Sequence, residues 1–234
     1  MKPFNSLYLI ALLQLLVTSP ALAKDWEAGI SLDSISSGTL VLKSSHTMTE
    51  FAQTFFARYK LKYKFKFLGK DHHFMVGGHM SNGEVSYTTS VVSRQGYHFK
   101  LGIDALIRSQ WNKNYQSTIG LSIHPLTSIN VFSRVTSLTN DETVTSTNHT
   151  KLSGWGWALP IDGMRKFEVR LLGSKLALAA GPQIKLNFES YSTRTDQTVQ
   201  INQSTKEVVN VSSSSSGSFS SNYLSFGIIF LALF

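Results

Sequence analysis

The chain has 234 residues, no cysteine, and 22 lysines and arginines against 14 carboxylates, for a formal net charge of +8. Without cysteine it has no disulfide framework and no thiolate that could bind a metal or act as a nucleophile. The length fits one substantial domain, and the positive balance favours an anionic partner.

Residues 1–23 have the organisation of a secretory signal peptide. Lys2 supplies the positive start, the apolar stretch 7–17 is too short to cross a bilayer as a helix, and Ala21 and Ala23 flank a cleavage point. We therefore expect an exported mature domain, residues 24–234, with an uncleaved anchor helix as the alternative. Export argues against a nucleic-acid partner and favours lipopolysaccharide phosphates or small anions as the anionic partner.

Apolar residues at every second position predict about ten β-strands, each with one apolar face. After the third strand, Asn82-Gly83 predicts a hairpin turn, and His124-Pro125 is expected to end the sixth strand because proline cannot continue a central ladder. The predicted strands lie near residues 26–32, 53–68, 73–80, 85–91, 97–108, 115–123, 128–138, 155–171, 175–191 and 224–234.

The segments between these strands predict a sheet with long loops at one end and short turns at the other. Long polar loops are expected at 33–50, 139–150 and 192–218 on one side. Short turns are expected on the other side, at 69–71, 93–96, 124–127 and 172–174. Long outer loops and short inner turns are typical of an even-stranded membrane barrel, and counts of eight or twelve strands stay open.

The second strand carries a row of cations between its aromatic residues. At the bilayer midplane each cation would cost about 2–4 kcal/mol, so the aromatic face is expected to contact lipid and the cations to face the lumen. They form either a structural network that plugs a narrow lumen or a hydrated positive lining that favours anions. The predicted basic ladder consists of Arg58, Lys60, Lys62, Lys64 and Lys66.

The last strand alternates from Leu224 to Phe234, on which the chain stops. With the export signal, this ending resembles the bacterial outer-membrane β-barrel proteins, and in particular their small porin-like members. The resemblance implies a transmembrane antiparallel β-barrel in the outer membrane of a Gram-negative bacterium, surrounded by lipid and lipopolysaccharide. It also implies that Phe234 is the assembly signal read by the barrel-assembly machinery. Candidate aromatics for the membrane interfaces are Trp26, Tyr97, Tyr115, Trp155, Trp157 and Phe234.

The segment His79-Met80-Ser81-Asn82-Gly83 resembles the His-x-Ser-Asn segment of outer-membrane lipid hydrolases, namely the outer-membrane phospholipase A and the lipid A deacylases. On a strand, residues two apart share a face, so His79 could deprotonate the Ser81 hydroxyl. The alternation of the third strand, however, turns both residues inward, away from lipid.

Together these patterns predict an all-β outer-membrane barrel that is porin-like or a structural surface protein. Its basic lumen could pass small anions, and we expect no catalytic residue, cofactor or metal site. The alternatives are a lipid hydrolase that uses His79 and Ser81, or an adhesion protein that acts through its long polar loops. The sequence leaves the oligomeric state open.

Overall fold

The computed structural model describes residues 25–38, 47–88, 93–139, 142–171, 174–202 and 208–233. The predicted signal peptide and the predicted assembly signal Phe234 lie outside these residues. The strands of the described ranges are β1 (Trp26–Gly38), β2 (Thr47–Phe67), β3 (Lys70–Thr88), β4 (Ser93–Gln110), β5 (Tyr115–Thr139), β6 (Glu142–Leu171), β7 (Ser174–Asn202) and β8 (Val208–Leu233).

Each strand pairs antiparallel with its neighbour in the chain, and β8 pairs with β1, so the sheet closes into a barrel. Closure pairs the backbone groups of the wall with one another, which a hydrocarbon environment requires. The predicted antiparallel barrel is confirmed. In the described residues it has eight strands, one of the counts that the sequence left open.

The predicted hairpin turn at Asn82-Gly83 is not a turn, because both residues lie inside β3. Asn82 pairs with Gln53 on one side and with Phe99 on the other. A side chain at Gly83 would collide with the backbone of β2 and with the His98 ring. This glycine therefore serves close packing inside the wall, and the predicted third and fourth strands are one strand.

The predicted break at His124-Pro125 is a β-bulge inside β5. One extra residue of β5 lies between His124 and Thr127, and the register shifts on both sides of the strand. His124 and Thr127 are both buried in the lumen, whereas Pro125 and Leu126 are both exposed. The bulge accommodates a proline that lacks a backbone donor, so the predicted sixth and seventh strands are also one strand.

The connections define a turn side and a loop side of the barrel. The turn side holds the start of β1, the end of β8 and a two-residue turn at Leu68 and Gly69, whose φ angles are 50° and 71°. Positive φ at both residues matches the type I′ turn that favours tight hairpins. The segment 93–96, predicted to be a turn on this side, instead begins β4 at the loop side.

The predicted loops at 139–150 and 192–218 are largely strand. In β5–β8 the pairing extends outward as far as the pairs Thr139 with Glu142 and Asn202 with Val208. By contrast, the pairing of β4 with β5 stops at Gln95 with Phe132. The four strands therefore continue beyond the rest of the wall as a protruding sheet on the loop side.

An apolar band covers the outside of the barrel. On β4 it runs from Tyr97 to Ile107, which is about 33 Å along a strand and about 25 Å in height at a tilt of about 40°. Trp26 and Tyr115 are exposed at its turn-side edge, and Tyr97 and Trp155 at its loop-side edge. Exposed apolar residues around a polar interior are the pattern of a transmembrane β-barrel.

Candidate functional site: the barrel lumen

The lumen holds buried ion pairs that cross it from strand to strand. Near the turn side, both carboxylate oxygens of Glu27 on β1 accept hydrogen bonds from Arg108 on β4, Nη2 to Oε1 at 2.6 Å. The Arg58 guanidinium on β2 lies 3.9 Å from the same carboxylate. These three side chains are at most 8% exposed, so the pairs are shielded from solvent.

In the middle of the lumen, the polar side chains converge on the carboxylate of Asp104 on β4. Its Oδ2 accepts a hydrogen bond from Arg58 Nε at 3.3 Å, and its Oδ1 accepts one from Ser122 Oγ at 2.6 Å. The same Oδ1 lies 2.9 Å from His79 Nδ1. One carboxylate thus links β2, β3, β4 and β5, and stabilises their register through charge-assisted hydrogen bonds.

Toward the loop side, two further lysines are paired across the lumen. Lys185 on β7 contacts Asp33 on β1 at 2.6 Å, and Lys100 on β4 contacts Glu189 on β7 at 2.9 Å. Tyr223 accepts a hydrogen bond from Lys100 and donates one to Glu189. These pairs join strands that are not neighbours in the wall, so they span the interior.

An apolar cluster fills the lumen beside this network. It links β2 to β6, β7 and β8, and Phe56 also lies 4.1 Å below the Arg58 guanidinium. Because they pack inside the barrel, Ile229 and Leu231 interrupt the alternation of the C-terminal strand. The cluster consists of Phe56, Met164, Ala179, Ile229 and Leu231, with Leu233 packed against it.

The space left in the centre of the lumen is a cavity of about 50 Å³. A single water needs about 10–15 Å³ by such a measure, so the cavity has room for a few waters. Its walls include members of both networks, among them Asp33, Arg58, Lys100 and Lys185. A second cavity of about 200 Å³ lies at the turn-side mouth, so it is the middle of the described lumen that protein side chains fill.

The predicted basic ladder shares one face of β2, but most of it lies outside the lumen. Arg58 is buried inside, and Lys60 is at the turn-side mouth, where it contacts Asp25 at 3.3 Å. The other three lysines, Lys62, Lys64 and Lys66, are exposed, because β1 accompanies β2 as far as the pair of Trp26 with Tyr59.

The prediction of a basic lumen is corrected by the carboxylates that face it, among which Asp104 and Glu189 are expected partners and Glu27, Asp33 and Asp162 are additional ones. Apart from Lys60, Lys166 and Asp25 at its turn-side mouth, four cations and five carboxylates point into the described lumen, so it carries no positive excess. Glu27 and Asp33 could have been found, because they alternate with the outward-facing Trp26, Ala28, Ile30 and Leu32. The lumenal charges are Arg58, Lys100, Arg108 and Lys185 with Glu27, Asp33, Asp104, Asp162 and Glu189.

His79 and Ser81 both face the lumen, as the alternation of β3 predicts, and both are at most 8% exposed. They do not pair with each other in the structure. The His79 ring binds Asp104, while Ser81 Oγ accepts from Thr54 at 3.1 Å and lies 3.3 Å from His98 Nε2. The site lacks access from lipid, which a lipid hydrolase at this position would need.

Among the described residues, no group of three or more histidines, cysteines and carboxylates is arranged to hold a metal ion. The same residues form no helix that is long and apolar enough to span a membrane.

No protein-family model and no curated protein matches the chain. Among solved structures it is similar to the β domain of the Bordetella autotransporter BrkA, at 11% identity over 91% of this chain and 100% of that one, with a TM-score of 0.31. It is also similar to the transport unit of the autotransporter AIDA-I from Escherichia coli, at 7% identity over 100% and 99% of the chains and a TM-score of 0.33. An outer membrane channel from Pseudomonas putida F1 matches at 7% identity over 91% and 96%, with a TM-score of 0.29. Similarity at this level does not identify an activity, and the class of the protein, a transmembrane antiparallel β-barrel, follows from its own architecture.

Proposed function

We propose that the protein is a bacterial outer-membrane surface protein whose barrel anchors it without conducting, and whose extended strands present a polar sheet outside the cell. The filled lumen carries this proposal. The outer-membrane placement is supported by the apolar band, by the export signal and C-terminal strand of the sequence, and by the unequal lengths of the two barrel ends.

The closed lumen argues against passage of solutes. Opening a path would separate buried pairs such as Arg108 with Glu27 and would displace the apolar cluster around Phe56. Leaving one charge of such a pair buried and unpaired costs about 3–5 kcal/mol, so these pairs favour the closed arrangement. The balance of four lumenal cations against five carboxylates also gives no basis for anion preference.

The protruding sheet is the surface that this anchor would display. Its β7 and β8 portions pair from Ser192 with Ser218 out to Asn202 with Val208. Residues 212–218 are exposed and consist of serine and glycine. The pairing satisfies the backbone hydrogen bonds of these strands within the sheet, and the closed barrel below fixes their positions. The segment 192–218, predicted to be a loop that could act in adhesion, is thus largely a pair of strands in this sheet.

Single-channel recording tests the closed lumen. The mature chain is refolded into a planar bilayer, and insertion is verified separately by protection from added protease. We expect no discrete current steps from the inserted barrel, because buried ion pairs and the apolar cluster fill the middle of the lumen. Discrete current steps from the inserted barrel would overturn the proposal, and an anion preference in those steps under a salt gradient would establish an anion pore.

A further inference from the structure

The positive charge of the chain is concentrated at one end of the barrel. At the turn side, ten lysines and arginines stand against three carboxylates, Asp25, Asp71 and Glu168. On the loop-side parts of the described strands, four cations are balanced by four carboxylates. The turn-side cations are Lys60, Lys62, Lys64, Lys66, Lys70, Lys113, Arg165, Lys166, Arg170 and Lys175.

The strand that carries four of these lysines also has a continuous aromatic face. Beyond Lys60, whose backbone N–H still donates to the Asp25 carbonyl, the described residues of β2 pair with β3 alone, and their outward side chains contact those of β3. The Phe65 ring lies 5.3 Å from the Phe74 ring and is stacked 4.9 Å from His72. Tyr63 is 71% exposed and Phe67 60% exposed. This face continues the apolar band past the point where the closed wall ends.

The extension, residues 60–74, is therefore an amphipathic hairpin, with aromatics on one face and lysines on the other. Amphipathic helices with an apolar face and a lysine-rich polar face bind at a membrane interface, and the same two attractions act on this hairpin at the end of the wall. Its aromatic face then enters the boundary between acyl chains and headgroups, while lysine side chains reach the headgroup phosphates. Juxtamembrane lysines attract anionic lipids.

We propose that this turn-side hairpin binds the anionic phospholipid headgroups of the leaflet on that side of the membrane. The inference rests on the proposed outer-membrane placement, in which the turn side faces the periplasm. Continuity of the aromatic face with the lipid-facing band favours lipid over a soluble acidic polymer, which would leave Tyr63 and Phe67 in water. The charge distribution also disfavours lipopolysaccharide as the anionic partner. Lipopolysaccharide would surround the loop side, where cations and carboxylates are equal in number.

Spin-labelled lipids incorporated with the refolded barrel in phosphatidylcholine vesicles test this binding by electron paramagnetic resonance. The motionally restricted fraction is compared for labelled phosphatidylglycerol and labelled phosphatidylcholine. We expect about a fivefold preference for phosphatidylglycerol for each lysine that reaches the headgroups. The preference should fall as salt is raised, because screening weakens exposed charges. It should also fall in the double variant Lys62→Gln/Lys64→Gln.

The matched control removes two exposed cations from the loop side, in Lys151→Gln/Arg194→Gln. We expect this control to retain the preference of the parent. An inserted barrel with no preference for phosphatidylglycerol, or an equal loss in both double variants, would overturn the inference. Binding of soluble polyglutamate by a parent that shows no lipid preference would do the same and assign the lysines to an acidic polymer. A chain that fails to insert would contradict the membrane placement itself, whereas conduction by an inserted barrel leaves the lipid preference unaffected.

Discussion

Single residues in the lumen hold together strands that are far apart in the chain. Asp104 is 1% exposed and receives hydrogen bonds from Arg58 and Ser122, with His79 also in contact. A buried carboxylate with several donors stabilises a fold mainly because its removal leaves the partner charge unpaired. Replacing one member of the Asp104 network is therefore expected to lower the free energy of unfolding of the barrel.

We expect Asp104→Asn to lower the free energy of unfolding by about 3 kcal/mol, since Arg58 loses its nearest carboxylate and keeps Glu27 at 3.9 Å. The same change at Asp196, in an exposed pair with Arg194 at 3.3 Å, should cost about 1 kcal/mol or less. Urea unfolding and refolding of both variants in lipid vesicles measures the difference. Equal losses would mean that the Asp104 network contributes nothing beyond a surface ion pair.

At the scale of elements, the bulge in β5 decides which side chains enter the lumen. Before it, even-numbered residues such as Ser122 and His124 point inward; after it, odd-numbered residues such as Thr127 and Ile129 do. A shift of one residue in a strand exchanges its two faces. The bulge absorbs the extra residue and therefore keeps both halves of this long strand correctly oriented.

Deletion of Leu126 removes the extra residue, so regular alternation from His124 to Thr127 should keep Ile129 and Val131 in the lumen. We expect this variant, like Pro125→Ala, to give a folded band when an unheated sample is run on a gel. Deletion of Asn130, outside the bulge, should instead turn Val131 toward lipid and move Phe132 into the lumen, and should give no folded band. An Asn130 deletion that folds normally would show that the register of this strand can slip freely.

At the scale of the whole molecule, the two ends of the barrel differ in charge and in shape. The loop side carries the protruding polar sheet, and the turn side carries the lysine-rich hairpin. If the barrel lies in an outer membrane with short turns inside, these ends face different compartments.

The absence of cysteine allows this orientation to be measured with single introduced thiols. We expect Ser214→Cys, exposed on the protruding part of β8, to react with a membrane-impermeant maleimide on intact cells. Lys66→Cys, exposed on the hairpin, should react after the outer membrane is permeabilised and not before. The reverse pattern would place the lysines at the cell surface and contradict the assignment of the two sides.

The sequence by itself determined the kind of fold and the face of each strand. Alternation is a local property of an extended backbone, so the aromatic and cationic faces of β2 and the inward direction of His79 and Ser81 could be predicted without any partner strand. Which residues meet across the lumen depends on register between distant strands, as for Glu27 and Arg108, 81 residues apart.

Tertiary structure alone decided the strand count and the place of the lysines. Asn82-Gly83 and His124-Pro125 have the local chemistry of a turn and a strand end, yet the neighbouring strands continue past both and their backbone hydrogen bonds hold the chain extended. In the same way, the row of lysines on β2 lines a lumen only as far as β1 accompanies it. Where β1 begins is set by closure of the barrel, which no local pattern in β2 encodes.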